Sequence, residues 1–132
     1  MPAFVPELEP RLPSFDLAYD DPSWLAAVEA VVGVWLDAGA LAEARTALDR
    51  FRAAAEATKM ARLAFASHAL LRSRLLLAEG DHAGAATEAE TGLAETRAPW
   101  WRVRALRALE AAGAASDEAL QEAAELERSL GI

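Results

Sequence analysis

The fold of this chain is decided by the stretch Leu77-Ala78-Glu79-Gly80-Asp81-His82-Ala83-Gly84-Ala85. Apolar and helix-favouring residues lead up to Gly80, and glycine readily adopts the positive φ that closes a helix. Asp81 follows as the cap of a new helix. The small Ala85, five residues after the glycine, allows the new helix to pack closely against the first. The stretch therefore predicts two antiparallel helices joined by a tight turn.

The same turn occurs three times along the chain. The first copy is Leu36-Asp37-Ala38-Gly39-Ala40-Leu41-Ala42-Glu43-Ala44, and the third runs from Glu110 through Gly113 to Ala119 with one extra residue. The composition favours helix around every turn, because alanine dominates, asparagine is absent and β-branched residues are sparse. No segment alternates between apolar and polar residues, so no strands are predicted. Repeated units of this kind indicate a stack of helical hairpins.

Six helices are predicted around these turns. Asp21 is the expected cap of the first helix, which starts at Pro22 and continues to about Ala38. The other five are expected at about 41–58, 59–79, 82–97, 99–112 and 116–131. The first two helices each carry a stripe of apolar residues that should face the core: Trp24, Val28, Val31, Val32 and Trp35 in the first, and Leu41, Ala44, Leu48 and Phe51 in the second.

The first twenty residues differ from the rest of the chain. They hold four of the six prolines, interleaved with large apolar residues, and proline at that spacing prevents a regular helix. Because so many apolar side chains are costly to leave in water, we expect residues 1–20 to form an extended arm docked on a helical domain of residues 21–132. The alternative is a disordered tail.

Size, composition and charge limit the class of function. A chain of 132 residues with 54% hydrophobic and 26% charged residues has the composition of one globular domain. Its longest apolar run, Ala30 to Leu36, is too short to span a membrane, and no signal peptide is visible, so a cytoplasmic location is expected. The absence of cysteine excludes disulfides and thiolate metal sites. A net charge of −8 argues against direct nucleic-acid binding, which requires cations that neutralise phosphates.

The repeated turn resembles the motif of the tetratricopeptide repeat family. That motif has a large residue in the first helix, glycine and then Asp or Asn in the turn, and a small residue in the second helix. The residues that fit are Trp35, Gly39, Ala44 and Leu48 in the first unit, and Leu76, Gly80, Asp81 and Ala85 in the second. The resemblance covers about residues 22–131. It implies an all-α fold of three antiparallel helical hairpins, six helices in all, stacked as a short right-handed solenoid after the Pro-rich arm.

A second likeness concerns the Ala- and Leu-rich segment of residues 100–109, Trp-Trp-Arg-Val-Arg-Ala-Leu-Arg-Ala-Leu. It is similar to the degenerate repeats found in large bacterial LuxR-type regulators. This likeness implies a signalling or scaffold segment that belongs to a longer chain, with a role in transcriptional regulation.

Positive charge is concentrated on two of the predicted helices. Eight of the thirteen basic residues lie there: Lys59, Arg62, Arg72 and Arg74 on the third helix, and Arg97, Arg102, Arg104 and Arg107 at or on the fifth. The resemblance implies that first helices line a concave face, so this face would be a basic groove for an acidic peptide or another anion. The alternative is that these arginines pair with glutamates on the second helix of the same hairpin.

We therefore assign partner binding to this groove. Its candidate residues are Lys59, Arg62, Arg72, Arg74, Trp101, Arg104 and Arg107. Trp100 and Trp101 point about 100° apart on a helix, so one is expected in the core and the other at the groove or the hairpin junction. A carboxylate-clamp groove relies on asparagines beside lysines. That specialised function is not expected here, because the chain has no asparagine.

No pattern indicates catalysis, a metal site or a cofactor. His68 and His82 have no second ligand three or four residues away. Ser67 and His68 are adjacent, which is the wrong helical spacing for a nucleophile and its base. No phosphate loop, Rossmann fingerprint or nucleophile elbow occurs. The leading prediction is a non-catalytic protein-interaction or scaffold module. The alternatives are a homodimer formed through the arm, or a sensor of a small anionic ligand between the third and fifth helices.

Overall fold

A computed structural model of the protein describes residues 22–56 and 61–132, and side chains within 25–56 and 63–132. Several sequence predictions lie outside these residues. They concern the Pro-rich arm of residues 1–20, the Asp21 cap and the predicted burial of Trp24. The candidate groove residue Lys59 and the side chain of Arg62 also lie outside the described part.

The described residues form six α-helices and no β-strand, as the sequence predicts. The helices are α1 (Pro22–Asp37), α2 (Leu41–Ala55), α3 (Ala61–Ala78), α4 (His82–Glu95), α5 (Pro99–Ala111) and α6 (Asp117–Leu130). Helix α4 ends at Glu95 rather than at the predicted Arg97, because Thr96 is already extended (φ −151°, ψ 148°). None of the described helices combines the length and the apolar character that crossing a membrane requires.

The three predicted turns are confirmed at their glycines. Gly39, Gly80 and Gly113 have φ values of 75°, 86° and 74°, a region that residues with a side chain rarely adopt. Each turn has the same hydrogen bonds; in the second, the amide of Asp81 donates to the carbonyl of Leu76 at 2.8 Å. These bonds satisfy carbonyls that the end of the helix would otherwise leave unpaired.

Side chains cap the second helix at two of the three turns. The carboxylate of Asp81 accepts a hydrogen bond from the Gly84 amide at 2.9 Å, and the Ser116 hydroxyl accepts one from the Ala119 amide at 3.1 Å. At the corresponding start of α2, Ala40 has no group that could do this. Helices α4 and α6 therefore begin with a satisfied donor that α2 lacks.

We expect Asp81→Ala to lower the free energy of unfolding by about 1 kcal/mol, because the Gly84 amide loses its acceptor at the start of α4. Urea denaturation followed by circular dichroism measures the change. Asp81→Asn is the matched control, since its side-chain oxygen still accepts the bond and most of the stability should remain. An equal loss in both variants would show that the cap is not the cause.

Each helix packs against the next, and in addition α1 contacts α3 and α3 contacts α5. This order of contacts fits a helical stack. The apolar stripes predicted for α1 and α2 face the core: Val28, Val32, Trp35, Ala44, Leu48 and Phe51 are buried, and Val31 and Leu41 are partly buried against them. Leu71 and Leu75 of α3 complete the same cluster.

Helix α4 packs through small residues. Ala85 and Ala89 are fully buried. Gly92 is also buried, and a Cβ added to it would lie only 3.0 Å from Cδ2 of Leu70 on α3. The buried Ser73 hydroxyl donates to the Ala85 carbonyl at 2.8 Å, which joins the two helices directly. The prediction that Ala85 allows α4 to pack closely against α3 is confirmed. Gly92, two turns further along α4, continues this close contact.

Candidate partner-binding surface

Helices α1, α3 and α5 together form one surface, which we call the first-helix surface. Its residues recur three or four positions apart on each helix, so they share a face. They are Glu29, Gly33 and Asp37 on α1, Ser67, Leu70, Leu71 and Arg74 on α3, and Trp101, Arg104, Arg107 and Ala108 on α5. Ion pairs and hydrogen bonds connect the three helices here, and a cavity lies between α3 and α5.

Glu29 joins all three helices of this surface. Its carboxylate accepts a hydrogen bond from the Ser67 hydroxyl of α3 at 2.8 Å and from the Arg104 guanidinium of α5 at 3.1 and 3.4 Å. Ser67 is fully buried, and only 23% of the Glu29 side chain is exposed. Glu29 was not among the residues predicted from the sequence. Its signal was present, however, because Glu29 is the single charged residue between Pro22 and Leu36.

The two adjacent tryptophans have different environments. Arg104 lies over the Trp101 ring, with its guanidinium carbon 4.4 Å from the ring centroid, a cation–π contact. Trp101 also packs against the core cluster and is partly buried, whereas Trp100 is 51% exposed. Trp101 therefore lies between the core cluster and Arg104, and neither tryptophan ring is fully buried.

A cavity of about 280 Å³ opens between α3 and α5. Buried Leu70 and Leu71 form its apolar floor, and Arg74, Arg104 and Arg107 line it together with Ala108. We call it the α3–α5 cavity. The structure thus brings together three of the predicted groove arginines, with Trp101 beside them, around a single depression.

Arg72 lies apart from the cavity. It pairs with Glu88 of α4 at 3.2 Å. This is the pairing within one helix pair that the sequence analysis named as the alternative to a basic groove. Arg102 and Arg107 of α5 follow the same rule, pairing with Glu122 and Glu127 of α6. The hydrogen bond from Arg102 lowers the pKa of Glu122, so this carboxylate stays charged.

Arg74 and Arg104 do not follow that rule. Both reach across to α1, where Arg74 pairs with Asp37 at 3.2 Å and Arg104 pairs with Glu29. The Arg74–Asp37 pair is open to solvent, with 50% and 79% of the two side chains exposed. Every described candidate arginine therefore has an acidic neighbour, but these neighbours differ in how firmly they are held.

No family model, curated protein or solved structure matches this chain. The tetratricopeptide-like and regulator-like assignments accordingly stay predictions. Function is inferred from the residues of the first-helix surface and their geometry.

Ser67 and His68, adjacent in sequence, have unrelated surroundings. Ser67 bonds to Glu29, whereas His68 lies buried with its ring edge-on to Phe51, the centroids 5.7 Å apart. Burial lowers the pKa of His68 from 6.5 to about 4, so the imidazole is neutral at pH 7. Within the part of the chain that the structure describes, no three His, Asp or Glu side chains are grouped to hold a metal ion.

Proposed function

We propose that this protein is a non-catalytic protein-interaction module, a tetratricopeptide-like stack whose first-helix surface binds an acidic segment of a partner protein. The observation that carries the proposal is the α3–α5 cavity, where Arg74 and Arg107 from different helices stand beside an apolar floor. Arginine at the edge of an apolar depression is a common anchor in protein interfaces, because it supplies both contact area and charge-assisted hydrogen bonds.

The ion pairs around the cavity support exchange with a partner. Asp37 is 79% exposed, and solvent-exposed ion pairs contribute about 0–1 kcal/mol, so a partner carboxylate could replace Asp37 on Arg74 at little cost. Arg107 is paired with Glu110 of its own helix at 3.2 Å and also with Glu127 of α6. The side chains of Glu110 and Glu127 are 49% and 28% exposed, so a partner carboxylate has to compete with both. Arg104 differs, because Glu29 and Trp101 hold it in place.

The lining of the cavity suits one side chain of a protein segment. Pockets for small molecules usually enclose roughly 300–1,000 Å³. The α3–α5 cavity, at about 280 Å³, is at the lower end of that range, and its polar groups are the arginines at its edge. Ser67 donates to Glu29 and His68 is buried in the core, so these two residues do not act together as a nucleophile and its base.

Neutralising the exchangeable arginines tests this proposal. We expect the double variant Arg74→Gln plus Arg107→Gln of the full chain to bind a pool of fluorescein-labelled acidic 12-residue peptides about tenfold more weakly than the wild type, measured by fluorescence anisotropy. Each substitution removes a charge-assisted hydrogen bond that the peptide would accept.

The matched control is Arg72→Gln plus Arg102→Gln. It removes the same net charge and breaks two similar ion pairs, but neither residue lines the cavity. Peptide affinity should change less than about twofold in this variant. Equal losses in the two double variants would indicate nonspecific electrostatic attraction, and an unchanged affinity in Arg74→Gln plus Arg107→Gln would remove the first-helix surface as the binding site.

A further inference from the structure

We propose that the α3–α5 cavity binds one bulky apolar side chain of the partner, and that this residue has acidic residues on both sides of it in the partner's sequence. This inference rests on the proposed function and adds to it the kind of segment that fits. The partner is an extended acidic segment in which a leucine, methionine or phenylalanine enters the cavity and neighbouring carboxylates reach the arginines at its edge.

The floor of the cavity requires an apolar occupant. Leu70 and Leu71 belong to the buried core and present only carbon atoms, and Ala108 adds a methyl group from α5. A charged or strongly polar side chain placed here would lose its hydration without gaining a hydrogen bond from the floor. A volume of about 280 Å³ accommodates one large side chain, so the cavity selects a single residue of the segment.

The arginines at the edge require acidic neighbours on both sides of that residue. Arg74 comes from α3 and Arg107 from α5, so the two guanidinium groups approach the cavity from opposite helices. Arg74 is paired with Asp37, whose side chain is 79% exposed, and Arg107 is paired with Glu110 and Glu127, whose side chains are 49% and 28% exposed. Carboxylates at both flanks of the apolar residue would therefore be paired while the residue itself is buried.

A glycine of α4 packs against one of the residues that line the cavity. Gly92 lies directly against Leu70, and a Cβ added there would approach Cδ2 of Leu70 to 3.0 Å. A side chain at this position would therefore force Leu70, and with it part of the cavity lining, to move.

The pattern itself occurs in this chain at Glu7-Leu8-Glu9, outside the described residues. A tripeptide of this composition is a direct template for the probe. We choose a fluorescein-labelled synthetic peptide with the core Glu-Phe-Glu, and compare it with peptides in which the core is Glu-Ala-Glu or Gln-Phe-Gln.

Anisotropy titrations with the full chain give the test. We expect the Glu-Phe-Glu peptide to bind at least about tenfold more tightly than Glu-Ala-Glu, because alanine lacks the ring that the cavity would bury. We also expect it to bind about tenfold more tightly than Gln-Phe-Gln, which lacks the carboxylates. Ala108→Leu partly fills the cavity and should abolish the preference for phenylalanine over alanine. Ala124→Leu adds the same side chain to an exposed position of α6, a helix that contributes no residue to the cavity lining, and should leave the preference intact.

Three outcomes would overturn the inference. Equal binding of Glu-Phe-Glu and Glu-Ala-Glu, with both still sensitive to Arg74→Gln plus Arg107→Gln, would leave the proposed function standing and remove the apolar pocket. Binding of free octanoate as tightly as the peptide would assign the cavity to a small amphipathic acid. A gain in peptide affinity in Leu8→Ala would identify the chain's own N-terminal segment, rather than a partner, as the occupant.

Discussion

Glu29→Ala is expected to lower the free energy of unfolding by about 2–3 kcal/mol, more than any other single ion-pair substitution on the first-helix surface. The substitution removes the common acceptor of the buried Ser67 hydroxyl and the Arg104 guanidinium. A buried donor left without a partner typically costs about 1–3 kcal/mol, and hydrogen bonds to a charged group are the stronger ones. Ser67 can turn its hydroxyl toward a carbonyl of its own helix, which recovers part of this cost.

Urea denaturation of Glu29→Ala, Ser67→Ala, Arg104→Ala and the corresponding double variants measures these contributions. A double-mutant cycle should give a coupling energy of about 1 kcal/mol between Glu29 and each partner. The Arg74–Asp37 pair also joins α1 to another helix but is open to solvent, so Asp37→Ala should cost less than about 0.5 kcal/mol. A similar loss in Glu29→Ala and Asp37→Ala would mean that burial of the carboxylate does not matter.

Acidification from pH 7 to about pH 4 is expected to lower the free energy of unfolding by about 3 kcal/mol through His68 alone. The pKa of His68 is lowered from 6.5 to about 4, mainly by burial and in smaller part by the positive charges of Arg52 and Arg72. Between these two pH values the unfolded chain binds a proton that the folded chain does not. The stabilisation is therefore complete above pH 6.5 and is lost progressively as the pH falls toward 4.

The measurement is the urea midpoint between pH 7.5 and 4.5 for the wild type and His68→Gln. Glutamine retains a hydrogen-bond donor for the backbone of Leu48 but does not titrate, so this variant should lose most of the pH dependence in that range. His82→Gln is the control, because His82 is exposed at the turn before α4. An identical slope in the wild type and His68→Gln would exclude His68 as the group responsible.

The helices and turns were predictable because their causes are local. Gly39, Gly80 and Gly113 close their helices through backbone geometry within five residues, and the apolar stripes of α1 and α2 need only the 3.6-residue period. These features depend on residues that are close in the sequence. The number of helices and the positions of their turns follow from such features.

The pairing of the charges was not predictable in the same way. Pairing within one helix pair, as for Arg72 and Glu88, follows from the turn that brings the two helices together. The contact between Glu29 and Arg104 joins residues 75 positions apart, and it requires the relative placement of α1, α3 and α5. The α3–α5 cavity depends on the same placement, and so its apolar floor was not anticipated although Arg74, Arg104 and Arg107 were named.

The position of Glu29 has a consequence for cooperativity. In a stack where helices contact only their neighbours, an end can unravel while the remainder stays folded. Here opening α5 exposes the Glu29 carboxylate of α1, and opening α1 removes the counter-charge of Arg104. Helices α1 and α5 of the described stack are therefore energetically linked across α3. Glu29 thus favours all-or-none unfolding over piecewise fraying, and it keeps α1 and α5 in register on the surface that a partner would bind.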